Sequence, residues 1–156
     1  MTMLINTLKS ELLSLELFNT EASAISAWAN AFRIYFEDAE SNLIPISVPA
    51  LGTPEAAMKG AMTGLSTAGA SAIQAGIVAF WGSLTAAPAT YFAAATVITP
   101  PPGLSGIATA LQAIFDTNIS SRASKEEAMA AIAGVIHPAN LGGTATFPAI
   151  PPASIT

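Results

Sequence analysis

The chain contains no cysteine and only one histidine, His137. Without thiols, a disulfide scaffold, a cysteine-ligated metal site and Cys/His catalysis are all excluded. Charge is also scarce: Asp, Glu, Lys and Arg make up 10% of the 156 residues, against about 25% in an average soluble domain. Ten acids against five bases leave a net charge of −5, which argues against a nucleic-acid-binding surface. Disorder driven by charge is excluded as well, because 52% of the residues are hydrophobic. What fills the chain instead is alanine, with 33 residues. The length suits one domain.

The few charges are spread unevenly. Residues 1–59 hold seven acids and three bases, and residues 116–156 hold three acids and two bases. Between Lys59 and Asp116 lie 56 residues without an Asp, Glu, Lys, Arg or His. A solvated surface normally mixes charges of both signs. A neutral stretch of that length must therefore face lipid, its own core or other subunits.

Hydrophobic spacing predicts a mainly α protein. Leu4, Leu8, Leu12 and Leu15 share one face of a helix over 3–18, and Ile25, Trp28, Phe32, Tyr35 and Ala39 share one face over 21–39. Thr20 suits an N-cap and Glu21 the first turn. Residues 1–41 thus read as an N-terminal helical hairpin. Residues 42–53 (NLIPISVPALGT) break the helical period at Pro45 and Pro49 and read as an extended, apolar linker. Thr53-Pro54-Glu55 marks a helix start, and one helix is expected to run to about Trp81, with Met58, Met62, Leu65, Ile73, Ile77 and Phe80 along one stripe. Gly60, Gly64, Gly69 and Gly76 interrupt it. Each costs roughly 1 kcal/mol relative to alanine in a helix interior, which makes sense where another backbone comes close.

Residues 84–99 fit either helix or strand, with Pro88 as a break. Pro100, Pro101, Pro102 and Gly103 form a stiff turn. Further helices are expected over 104–118 and, behind the capping-box sequence Ser124-Lys125-Glu126-Glu127, over 128–136. These complete an Ala/Gly-rich helical region at 54–137. Residues 138–156, uncharged and with four prolines, read as an extended tail whose removal should leave the helices intact.

Little of this inventory suits catalysis. His137 stands at an expected helix end, where imidazole can cap the last carbonyls, and no Gly-x-Ser-x-Gly elbow accompanies it. Glu37, Asp38 and Glu40 form the densest acidic group, but a hard cation wants six or more converging oxygens, so they read as a solvated face. Gly60-Ala61-Met62-Thr63-Gly64 and Gly142-Gly143-Thr144 lack the lysine of a phosphate loop. Trp28, Phe32 and Tyr35 read as core. No catalytic, cofactor-binding or metal-ligating residue is therefore expected, and no cofactor.

Two readings account for the neutral stretch. In one, residues 65–99 lie in a bilayer, as in a small holin-like protein, although no basic cluster flanks them. In the other, small residues form flat faces buried against sister subunits. The interface candidates are then Gly64, Gly69, Ile73, Gly76, Phe80, Trp81, Tyr91, Phe92, Pro101 and Phe147.

The segments Ala75-Gly76-Ile77-Val78-Ala79-Phe80-Trp81, Thr99-Pro100-Pro101-Pro102-Gly103-Leu104 and Val135-Ile136-His137-Pro138, followed by Gly142-Gly143-Thr144, resemble small structural proteins of tailed bacteriophages, of the neck, tail or baseplate type. The likeness extends from about Gln74 to the end. It implies a non-enzymatic, homo-oligomeric virion component that packs against sister subunits and other virion proteins. Such a protein is assembled in the host cytoplasm, an expectation consistent with the lack of a secretory pattern before Phe18.

Overall fold

The computed structural model describes residues 3–15, 20–121, 123–148 and 150–156. The fold is mainly α, as the spacing predicts. In chain order the elements are α1 (Ile5–Ser14), α2 (Glu21–Phe36), β1 (Glu40–Ser41), β2 (Ile44–Pro45), α3 (Gly52–Ala61), α4 (Gly69–Ala86), α5 (Pro88–Tyr91), β3 (Val97–Thr99), α6 (Ile107–Ser121), α7 (Lys125–Asn140), β4 (Thr144–Phe147) and β5 (Ile150–Ser154). Single 3₁₀ turns at Val48–Leu51 and Pro102–Gly106 lead into α3 and α6.

Local chemistry sets several boundaries. The Thr20 hydroxyl accepts from the Ser23 amide and starts α2. Ser124 and Glu127 form the full capping box of α7, which satisfies two amides that a helix start leaves bare. In the first helix Leu8 and Leu12 are buried while Leu4 is 53% exposed, so the apolar stripe is shorter than its spacing implies. Residues 16–18 of that expected helix lie outside the described residues. Pro88 occupies the first position of α5, and the chain turns extended only at Val97–Thr99. The 84–99 segment is thus helix first and strand last.

The single helix expected from Thr53 to Trp81 is two helices. The chain leaves α3 at Met62, and Gly64 takes a φ of +74°, a conformation that costs a side-chain-bearing residue far more than glycine. The Glu21 carboxylate reaches across from α2 and accepts from the amides of Gly64 at 3.0 Å and Ser66 at 3.1 Å, so the loop's amides gain a partner the helix would have given them. α3 then folds back against α4. This contact explains Gly76: a Cβ there would overlap the Met62 side chain and lie 3.0 Å from Met58 Cγ.

α4 runs through the core. Its Ile73, Ile77, Phe80, Trp81 and Leu84 are buried. Phe80 meets Phe32 edge-on at 5.0 Å and Phe36 at 4.9 Å, while Trp81 meets Phe36 edge-on at 5.3 Å. Such offset and edge-on aromatic pairs contribute beyond the area they bury. α1 packs on α2 and also on α7, and α6 packs on α4 and α7. The N-terminal helical pair is therefore integrated with the C-terminal half. Lys9 pairs with Glu126 at 3.2 Å, and the Lys125 ammonium donates to the Leu13 carbonyl at 2.8 Å and to that of Leu15, capping the end of α1.

α7 continues through Pro138 to Asn140 rather than stopping at His137. Proline removes one helical donor, and the carbonyl that loses it belongs to Gly134, an exposed residue whose oxygen water can serve. Beyond α7 the expected tail is extended but paired. β3, β4 and β5 form an antiparallel sheet with Ile98 opposite Ala145 and Ala145 opposite Ala153. Ile155 bridges to Ser41, and Thr156 and Glu40 exchange backbone hydrogen bonds at 2.9 and 3.0 Å. The last residues thus join the sheet to the β1–β2 hairpin. Phe147 and Ile155 are buried.

Candidate functional site

The uncharged stretch supplies 15 of the 33 buried hydrophobic residues among those described. Of the residues picked out as interface candidates, Ile73, Phe80, Trp81, Tyr91, Phe92 and Phe147 are each at most 3% exposed. Gly76 is spent on the α3–α4 contact. Pro101 is buried, and a Cβ on Gly143 would lie 3.3 Å from its Cδ and 2.5 Å from Trp81 Cη2. These eight are interior groups, not surface available to a neighbour. Gly64 and Gly69 are half-exposed, and Gly69 lies against Phe115. Spacing alone could not separate a face turned to a subunit from one turned to the chain itself, since both demand apolar and small residues.

What the stretch leaves outside is also neutral. Ser71, Ala75, Val78, Gly82 and Ala86 are exposed at steps of four, three, four and four along α4, which places them on one outward face. Ala93, Ala94, Thr96, Val97 and Thr99 extend the uncharged surface into the loop and β3. Sequence reading of α4 dwelt on its buried side; its outward stripe becomes visible only once the core face is known.

The described lysines and arginine elsewhere are engaged within the chain. Arg33 pairs with Glu37 and, through Nε, with Glu55 at 3.1 Å, which also holds Lys59 at 2.5 Å. With Lys9 and Lys125 this accounts for all described basic side chains, and none forms a basic patch. Among the described residues no cluster of three or more acidic or histidine side chains could hold a metal ion.

His137 has a structural partner. The Tyr35 hydroxyl, on a side chain buried in the core, lies 2.7 Å from His137 Nδ1. Burial pushes the Tyr35 phenol up and the His137 imidazole down from their ordinary values. The two groups share one hydrogen bond, whose donor is set by the tautomer of the imidazole. The second buried polar pair is Trp81 with Asn140: the indole Nε1 donates to Asn140 Oδ1 at 2.7 Å, and Asn140 Nδ2 donates to the Ile136 carbonyl at 2.7 Å. The Trp81–Asn140 arrangement is fully buried, whereas His137 is half-exposed and held through Nδ1.

Two shallow grooves flank α6. One, of about 470 Å³, lies against α4 and includes Ser71, Thr109, Gln112 and Asp116. The other, of about 400 Å³, lies between α6 and α7 and is apolar, lined by Gly103, Gly106, Ile107, Ala110, Val135 and Ala139 among others. No described helix is long and apolar enough to cross a membrane. A feature that sequence reading missed is Leu43, which is 87% exposed at the tip of the β1–β2 hairpin. Asn42 beside it was the available turn signal, masked by the apolar run around it.

Comparison with protein-family models, with curated proteins and with solved structures finds no match.

Proposed function

We propose that this chain is a non-enzymatic structural component of a tailed-phage virion, of the neck, tail or baseplate type, that associates with sister copies through an uncharged surface. The observation that carries the reading is the outward face of α4. Ser71, Ala75, Val78, Gly82 and Ala86 stand exposed without a charge beside an equally neutral loop. A solitary soluble protein usually spreads both signs of charge over such a surface; a subunit that covers it with a neighbour has no such need. The resemblance of the segment from Gln74 onward to small tailed-phage proteins supports the same reading. The other virion proteins it meets belong to the same proposal. The holin-like alternative gains no observation, because the apolar side of α4 is used by Phe32, Phe36 and Met62 of this same chain.

Sedimentation velocity over a wide concentration range tests the proposal, together with mass spectrometry of purified particles. The expected result is concentration-dependent multimers without detergent and the chain among the particle proteins. A monomer at every concentration, or recovery only from detergent-extracted membranes, would sink it.

A further inference from the structure

Residues 144–156 form an arm that strand pairing and three apolar side chains hold in place. β4 pairs with β3, which sets Ile98 opposite Ala145 and Thr99 opposite Thr144. β5 pairs with β4, Ile155 bridges to Ser41, and Thr156 and Glu40 exchange backbone hydrogen bonds. Ala145, Phe147 and Ile155 are buried. Residues 128–156 contain no Asp, Glu, Lys or Arg, so no side-chain ion pair ties the arm to its seat.

A short hinge leads into it. Between Asn140, where α7 ends, and Thr144 stand only Leu141, Gly142 and Gly143. Gly142 turns the chain with a φ of +92°, and glycine takes up positive and negative φ about equally readily. A Cβ on Gly142 would meet nothing within 4 Å, so the turn is not locked by packing around it. Rotation at this one exposed residue redirects β4 while α7 stays as it is.

We propose that residues 144–156 of one copy seat against β3 and Ser41 of the next, in the place that each chain's own arm fills in the single molecule. This contact presupposes the self-association proposed above and supplies its link. The structure itself names the occupant: the ladder with β3, the bridge to Ser41 and the sites of Phe147 and Ile155 are complementary to this segment, and every copy carries one. Closed and exchanged chains make the same contacts, so only the hinge and the surface newly formed between copies separate them in free energy. The receiving strand lies where association was proposed. β3 packs on α4, and its exposed Val97 and Thr99 belong to the same uncharged surface as the outward face of α4.

The absence of cysteine allows a direct test. Thr99 and Thr144 are cross-strand partners, close enough for a disulfide. Thr99→Cys and Thr144→Cys are made singly, mixed, refolded together at high concentration and mildly oxidised. Each variant has one thiol, so a 99–144 disulfide must join two chains; peptide mass mapping should find it as the main link. The double variant, oxidised while dilute, closes the same link within one chain, which also reports that the fold is retained. Its arm is then held at home, and its multimer fraction should fall at least tenfold and return on reduction. If the unmodified chain multimerises but no 99–144 link joins two chains, or 99–99 and 144–144 links form as readily, exchange is wrong and self-association stands. Multimers that persist unchanged in the locked chain refute exchange as well. A chain that stays monomeric at every concentration overturns both.

Discussion

Trp81 and Asn140, far apart in the chain, meet in the core, where the indole N–H donates to the amide oxygen at 2.7 Å. Both residues are fully buried. The contact fastens the centre of α4 to the last residue of α7, and Asn140 completes it by donating to its own helix at Ile136. Asn140→Ala should leave the indole donor without a partner. A buried unpaired donor costs about 1–3 kcal/mol, so chemical denaturation should show a loss of that order with an unchanged slope. A loss below about 0.5 kcal/mol would mean that another acceptor replaces Asn140.

Gly76 and Gly82 lie in the same helix and should respond to alanine in opposite senses. At Gly82 an added Cβ meets nothing within 4 Å, so Gly82→Ala should gain about 1 kcal/mol from helix propensity alone. At Gly76 the same group would overlap Met62, and overpacking typically costs about 1–3 kcal/mol. Gly76→Ala should therefore lower the thermal midpoint while Gly82→Ala raises it. Equal responses would show that the α3–α4 contact is looser than described.

Acid should weaken the fold in two separate steps. Burial holds the folded His137 below its ordinary value of 6.5, so the unfolded chain takes up the proton first. The stability this provides is complete above that value and is lost as pH falls below it, toward the folded value. Glu21, held down by hydrogen bonds from Ser66 and Gly64, and Glu127, held down by Ser124, follow the same sign from a lower start. Their contribution is present above 4.5 and is lost as pH falls below it. Thermal melts from pH 8 to pH 3 should show both steps, and His137→Gln should remove only the upper one. An upper step that survives this substitution would belong to another group.

Deleting residues 150–156 removes β5, the buried Ile155 and the backbone exchange between Thr156 and Glu40. Filling by Ile155 and its bridge to Ser41 connect the hairpin to the sheet, so the deletion should lower the midpoint by several degrees, in line with about 2 kcal/mol or more for a lost core side chain. Differential scanning calorimetry checks this. A truncated chain that melts like the full one would return residues 150–156 to the status of a free arm.

Much of the local structure was legible in the sequence because its causes are local. Thr20, the Ser124–Glu127 box and the three- and four-residue spacing of Ile25, Trp28, Phe32 and Tyr35 act within a turn or two. The loop at Gly64 was not legible, because the group that stabilises it, Glu21, belongs to another helix. The association surface was read only in part: its neutrality is a property of composition, whereas its location had to wait for the core to be identified.

The sequence by itself determined a mainly helical, thiol-free chain with a neutral middle, since helix periodicity, capping and composition need no distant partner. Only the tertiary structure decided that Ile73, Phe80 and Trp81 face this chain's own aromatics, that the final strands return to the hairpin, and that Leu43 stands out in solvent. Burial is a relation between surfaces far apart in the chain, and a run of small, apolar residues satisfies that relation equally well against itself or against a neighbour.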